Sequence, residues 1–184
     1  MRIALPTRRS SAREVSQGLE IVVPAQRNVF LMLFLGAWLG GWFMGEISAA
    51  RALFLGSAME AKWFLAFWLT GWTVGGGFAI YMWLWMLAGK QRVLLGPDAL
   101  MIRREVFGFG LIREYDLAHI TNLRVAPSVS DPWSSGMRFW GGGAGPVAFD
   151  YGAKTFRFGD SLDEAEATQV VKELTARHVF RGAA

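Results

Sequence analysis

The sequence predicts an α+β membrane protein: a two-helix transmembrane hairpin followed by a small antiparallel β domain with a helix at its C-terminal end. Three observations predict it. Residues 28–45 and 63–89 contain no charged residue. After Gly89 the apolar residues fall into short runs separated by Gly, Pro and Asp, as strands and turns do. The last segment returns to helical spacing. Composition agrees: 53% of the 184 residues are hydrophobic and 18% are charged, against roughly 25% charged in soluble domains. The deficit is concentrated in the two apolar stretches.

Residues 1–27 form a basic leader, carrying Arg2, Arg8, Arg9, Arg13 and Arg27 against Glu14 and Glu20. Residues 1–18, rich in Arg, Ser and Ala, are expected to be mobile. Leu19–Val23 reads as a short strand stopped by Pro24 and available to the sheet that follows the hairpin.

A helix needs about 20 apolar residues to cross a hydrocarbon core of ~30 Å. Within 28–89, helices are expected over about 29–50 and 63–88, joined by a loop from Glu46 to Lys62. A cleaved signal peptide fits poorly, because the leader and first apolar run are too long and a second span follows. Basic residues set orientation. The leader, ending at Arg27, flanks the first span, and Lys90 and Arg92 flank the exit of the second, whereas the loop balances Arg51 and Lys62 against Glu46 and Glu60. Both termini are therefore expected in the cytoplasm, with the protein in the cell inner (cytoplasmic) membrane.

Gly36 and Gly40, and Gly41 and Gly45, are four residues apart; Gly71, Gly75 and Ala79 repeat the spacing in the second span. Small residues four apart share a helix face and let backbones approach closely. They suit packing within the hairpin, against a partner's helix, or against a second copy. Trp63, Trp83 and Trp85 lie near span ends, where an interfacial belt is expected. Trp38, Trp42, Trp68 and Trp72 lie deeper and suit packing against lipid, a partner helix, or a flat pigment or quinone. With no charge in mid-span and both His119 and His178 outside the spans, the sequence favours neither transport nor haem binding.

In residues 90–184, strands are expected at Gln91–Leu95, Ala99–Arg104, Leu111–Asp116 and Ile120–Ala126, with turns at Gly96-Pro97-Asp98 and Phe107–Gly110. Val147–Tyr151 and Lys154–Phe158 form a hairpin across Gly152-Ala153. Ser161 and Glu164 form a capping box for a helix over Leu162–Arg177, with Ala167, Val170, Val171, Leu174 and His178 on its apolar side. His178 reads as a capping residue, not a catalyst.

Strands in series closed by one amphipathic helix is the order of the pleckstrin-homology (PH) fold. In GPDALMIRREVFGFGLIREYDLAHITNLRV (96–125) and FDYGAKTFRFGDSLDEAEA (149–167), the chain resembles bacterial membrane-anchored PH-like proteins, with a weaker likeness in RNVFLMLFLGAWLGGW (27–42). The resemblance implies a PH-like antiparallel β-barrel or sandwich capped by the C-terminal helix. It carries no catalytic motif, and it permits a part in assembling photosynthetic or respiratory complexes.

Cysteine is absent, as are HExxH, Gly-x-Ser-x-Gly and P-loop patterns. The sequence thus points to no enzyme, metal, cofactor or small-molecule substrate, and its basic residues form no nucleic-acid-binding stripe. Trp133, Arg138, Phe139 and Trp140, in a glycine-rich loop over Ser128–Pro146, are candidate interaction anchors. Arg27, Lys90, Arg92, Arg103, Arg104 and Arg113 are candidate headgroup contacts, diluted by Glu105, Glu114 and Asp116. The expected function is a non-enzymatic membrane-anchored accessory, assembly or scaffold protein of a membrane complex, its partners being the lipid bilayer and a membrane protein or a second copy. The alternative is a lipid-headgroup-responsive signalling or membrane-binding module.

Overall fold

The computed structural model describes residues 10–55, 59–126 and 145–182. The chain divides into two compact units: one of residues 27–87, the other of residues 1–26 with 88–184.

The first unit is a helical hairpin, α1 (Val29–Leu55) and α2 (Met59–Ala88). At 1.5 Å per residue the helices are about 40 and 45 Å long, enough to cross a membrane. The Asn28 side chain caps α1 by accepting from the Leu31 N–H at 3.0 Å. The loop expected over Glu46–Lys62 is corrected here: only residues 56–58 separate the helices. The run Ala49-Ala50-Arg51-Ala52-Leu53 consists of strong helix formers. Glu46 needs no aqueous loop, because it accepts a hydrogen bond from the Thr73 hydroxyl at 2.5 Å.

The second unit contains a five-stranded antiparallel sheet in sequential order: β1 (Ser11–Val15), β2 (Gly18–Pro24), β3 (Gly89–Leu95), β4 (Ala99–Val106) and β5 (Phe109–Asp116). A short 3₁₀ turn, Leu117–His119, leads to a three-stranded antiparallel sheet of β6 (Ile120–Val125), β7 (Val147–Tyr151) and β8 (Lys154–Phe158), followed by α3 (Glu164–Thr175). The Leu19–Val23 segment lies in β2, paired with β3 from Leu19↔Leu95 to Pro24↔Lys90. The expectation of a mobile segment over 1–18 is corrected at Ser11–Val15, which pairs with β2. Cross-strand Arg13 and Glu20 meet at 2.8 Å, and the polar alternation of this edge strand conceals it from a hydrophobic-pattern reading.

Leu19, Ile21, Val23, Val93, Leu95, Leu100 and Ile102 place alternate residues of β2–β4 on one face. They share a core with Leu123, Phe149 and Phe158 from the second sheet and Val170 and Leu174 from α3. Tyr115 joins the sheets through an edge-on contact with Phe149, ring centroids 5.0 Å apart. The helix start shifts from the expected box. Asp163 is the N-cap, accepting from the Glu166 N–H at 2.7 Å while the Glu166 carboxylate reaches back to the Asp163 N–H. Ser161 instead donates its hydroxyl to the Pro24 carbonyl. The helix ends at Thr175, and the N–H of His178 bonds the Leu174 carbonyl beyond it.

Candidate functional site

Within the hairpin, two tryptophans face two glycines across the helix pair. The Trp83 indole of α2 lies on Gly36 of α1 and donates its N–H to the Met32 carbonyl at 2.9 Å. The Trp42 indole of α1 lies on Gly76 of α2, where a Cβ would sit 1.9 Å from the Trp42 ring. Hydrogen at Gly36 and Gly76 is what lets each indole approach the opposing backbone. Sequence reasoning included Gly36 but missed Gly76, since nothing in Gly75-Gly76-Gly77 distinguishes one glycine from the next. Trp83, expected near a span end, packs against the first turns of α1.

The remaining glycines of the expected packing faces are open. A Cβ at Gly40, Gly41, Gly45, Gly71 or Gly75 would meet nothing within 4 Å. Gly71, Gly75 and Gly76 line a groove of about 590 Å³ together with Trp38 and Trp42 of α1 and Trp68 and Trp72 of α2. The groove therefore gathers all four deep tryptophans. Trp68 and Trp72 stack at 5.3 Å, continuing a ring series from Phe64. Trp42 is 9% exposed, and its indole N–H has no hydrogen-bond acceptor. One oxygen of Glu46, Oε2, is likewise buried without a donor. Glu46 lies about 25 Å along α1 from Val29, so this polar pair with Thr73 belongs to the apolar span and not to the loop expected for Glu46.

In the sheet unit most of the candidate headgroup cations are engaged internally. Glu105, 3% exposed, is surrounded by Arg92 Nε at 2.6 Å, Arg103 Nε at 3.0 Å and Lys90 Nζ at 3.2 Å. Arg92 also pairs with Glu20 at 2.8 Å, and Arg104 with Asp160 at 3.1 Å. The register Lys90↔Glu105 and Arg92↔Arg103 places these groups on adjacent strands. Burial pushes the Glu105 carboxyl up, but hydrogen bonds from Arg92 and Lys90 outweigh it and hold it below the usual carboxylate range. Hydrogen bonds from Arg92 and Arg13 likewise hold Glu20 low. Arg27 and Arg113 have no ion-pair partner among the described residues.

A second polar cluster centres on Asp150. It accepts hydrogen bonds from Thr155 Oγ1 at 2.6 Å, Asn122 Nδ2 at 2.8 Å and Arg124 at 3.0 Å, which lower its carboxyl from 3.8 to about 2. Asn122, at φ 55°, sits in the irregular pairing between β6 and β7. The cluster ties the second sheet together.

Trp133, Arg138, Phe139 and Trp140 lie outside the described residues. Among the described residues no group of three or more His, Asp or Glu is placed to hold a metal ion. Comparison of the chain with protein families, characterised proteins and solved structures finds no match.

Proposed function

We propose that the protein spans the inner membrane as a helical hairpin with both termini cytoplasmic, and serves as a non-enzymatic accessory, assembly or scaffold subunit of a membrane protein complex. The observation that carries this reading is the division of labour among the glycines. Contacts inside the hairpin use Gly36 and Gly76, while Gly41 and Gly45 on α1 and Gly71 and Gly75 on α2 face open space. In a bilayer, close van der Waals packing and interhelical hydrogen bonds drive helix association. A partner helix in the Trp38–Trp72 groove would supply the first, through backbone contact over Gly71 and Gly75.

The orientation follows the basic residues Arg27, Lys90 and Arg92 at the ends of the apolar helices. The second unit, which we read as PH-like, would present a rigid surface on the cytoplasmic side. The test is affinity purification of the full chain from native membranes in mild detergent, with tagged and untagged copies co-expressed to report self-association. Wild type is expected to recover a defined membrane partner or a second copy, and Gly71→Leu/Gly75→Leu to lose it at unchanged expression. Equal recovery by the double variant would remove the groove as an interface.

A further inference from the structure

We infer that the β4–β5 hairpin tip is a membrane-insertion loop that dips Phe107, Phe109 and Leu111 into the interface of an anionic bilayer. These side chains, with Ile112, are the large apolar groups that the sheet leaves uncovered: Phe109 is 83% and Leu111 79% exposed, and Phe107 and Ile112 are also exposed. The register locates them at one end of the sheet. Val106 pairs with both Gly89 and Phe109, and Pro24 pairs with Lys90, so the tip shares its end with the start of β3 and the finish of β2. Those are the two points at which the sheet joins the apolar helices. No residue separates α2 from β3, and four residues separate Pro24 from Val29. If the helices cross a bilayer, as proposed above, this end of the sheet is tethered at its surface. The turn residues Gly96-Pro97-Asp98 lie at the opposite end, beyond Leu95↔Leu100.

The tip is built to hold apolar groups outward. Phe107 and Gly108 both have positive φ, 52° and 85°, forming the tight two-residue turn that suits the twist of a hairpin. Arg103 braces the turn by donating to the Gly108 carbonyl. An exposed apolar patch of this kind marks an interaction surface. Its charged neighbours favour lipid: Arg113 follows Ile112 on β5 with no ion-pair partner among the described residues, and Lys90 and Arg92, on the adjoining end of β3, keep about a third of their exposure while paired with Glu105 and Glu20. Aromatic side chains combined with basic ones are the pairing that binds an anionic interface.

The absence of cysteine allows single-site labelling of the full chain. Phe109→Cys, Asp98→Cys and Phe67→Cys would each carry an NBD fluorophore in nanodiscs of phosphatidylcholine and phosphatidylglycerol in equal parts. Nitroxide lipids would report depth. The label at 109 is expected to be quenched by shallow nitroxides at least about threefold more than the label at 98, with 67 quenched by deep nitroxides. Quenching at 67 but not at 109 would overturn the insertion while leaving the spanning hairpin standing. A label at 109 shielded from both lipid and aqueous quenchers would also overturn it, showing that protein covers the tip. No lipid quenching at 67 would remove the spanning hairpin on which the inference rests.

Discussion

Replacing Glu105 by Gln tests whether the sheet's basic residues serve the fold or are free for ligands. The carboxylate is 3% exposed and has three cationic nitrogens between 2.6 and 3.2 Å away. At an effective dielectric of ~20, each pair at ~3 Å is worth about 5–6 kcal/mol of gross attraction. Desolvation of the buried carboxylate offsets most of that, and loss of one partner from a fully buried pair costs about 3–5 kcal/mol. Here the three cations keep about a third of their exposure, and Gln retains shape and an acceptor oxygen. The expected loss is therefore smaller, about 2 kcal/mol, equivalent to a roughly 30-fold change in an opening equilibrium. Amide hydrogen exchange on the full chain in nanodiscs reads this locally. Amides of β3 and β4 should exchange roughly 30-fold faster in Glu105→Gln. Those of Glu14→Gln, which loses only the exposed pair with Arg177, should change by less than about twofold. An unchanged rate in Glu105→Gln would refute the argument that this carboxylate holds Lys90, Arg92 and Arg103 in place.

Three further outcomes are expected. Gly76→Leu forces the Trp42 ring from its seat and should destabilise the hairpin by about 1–3 kcal/mol in an SDS unfolding titration, while Gly75→Leu, in open space, should not. Trp83→Phe removes the hydrogen bond to the Met32 carbonyl and should cost about 0.5–1 kcal/mol in the same titration. Because the Asp150 carboxyl is lowered from 3.8 to about 2, its stabilising effect is fully present above pH ~4 and is lost as pH falls through 2; in Asp150→Asn, exchange of the β6–β7 amides should lose that part of its acid dependence.

Much of this architecture was legible in the sequence because strong, short-range signals carried it. Long charge-free runs mark α1 and α2, and Gly96-Pro97-Asp98 and Gly152-Ala153 separate strands whose apolar alternation is plain. The signals failed where polar residues are satisfied by tertiary partners. Glu46 looked like a loop residue because its Thr73 partner lies 27 positions away. Arg13 and Glu20 hide an edge strand because their pairing, not apolar alternation, marks it. Two acceptable N-caps, Ser161 and Asp163, stand two residues apart, and the Pro24 carbonyl takes the first.

The candidate sites were less legible. Spacing singled out small-residue faces but not which glycines the hairpin consumes, Gly36 and Gly76, since that depends on where Trp42 and Trp83 cross to the other helix. Arg103, Arg104 and Arg113 looked alike in sequence. In the fold, Arg103 faces Glu105, Arg104 faces Asp160, and Arg113 has no ion-pair partner among the described residues. The exposed tip residues Phe107 and Phe109 read as ordinary turn flanks, because exposure at a sheet end has no sequence period.

On the proposed reading, the open glycine faces receive a protein helix. Site-specific photocrosslinking in native membranes addresses it most directly, with the crosslinker placed in turn at Gly75, in the groove, and at Val74, an exposed neighbouring position. A discrete protein adduct heavier than the monomer is expected from position 75, and only lipid adducts from position 74. Lipid adducts alone from both positions would contradict it.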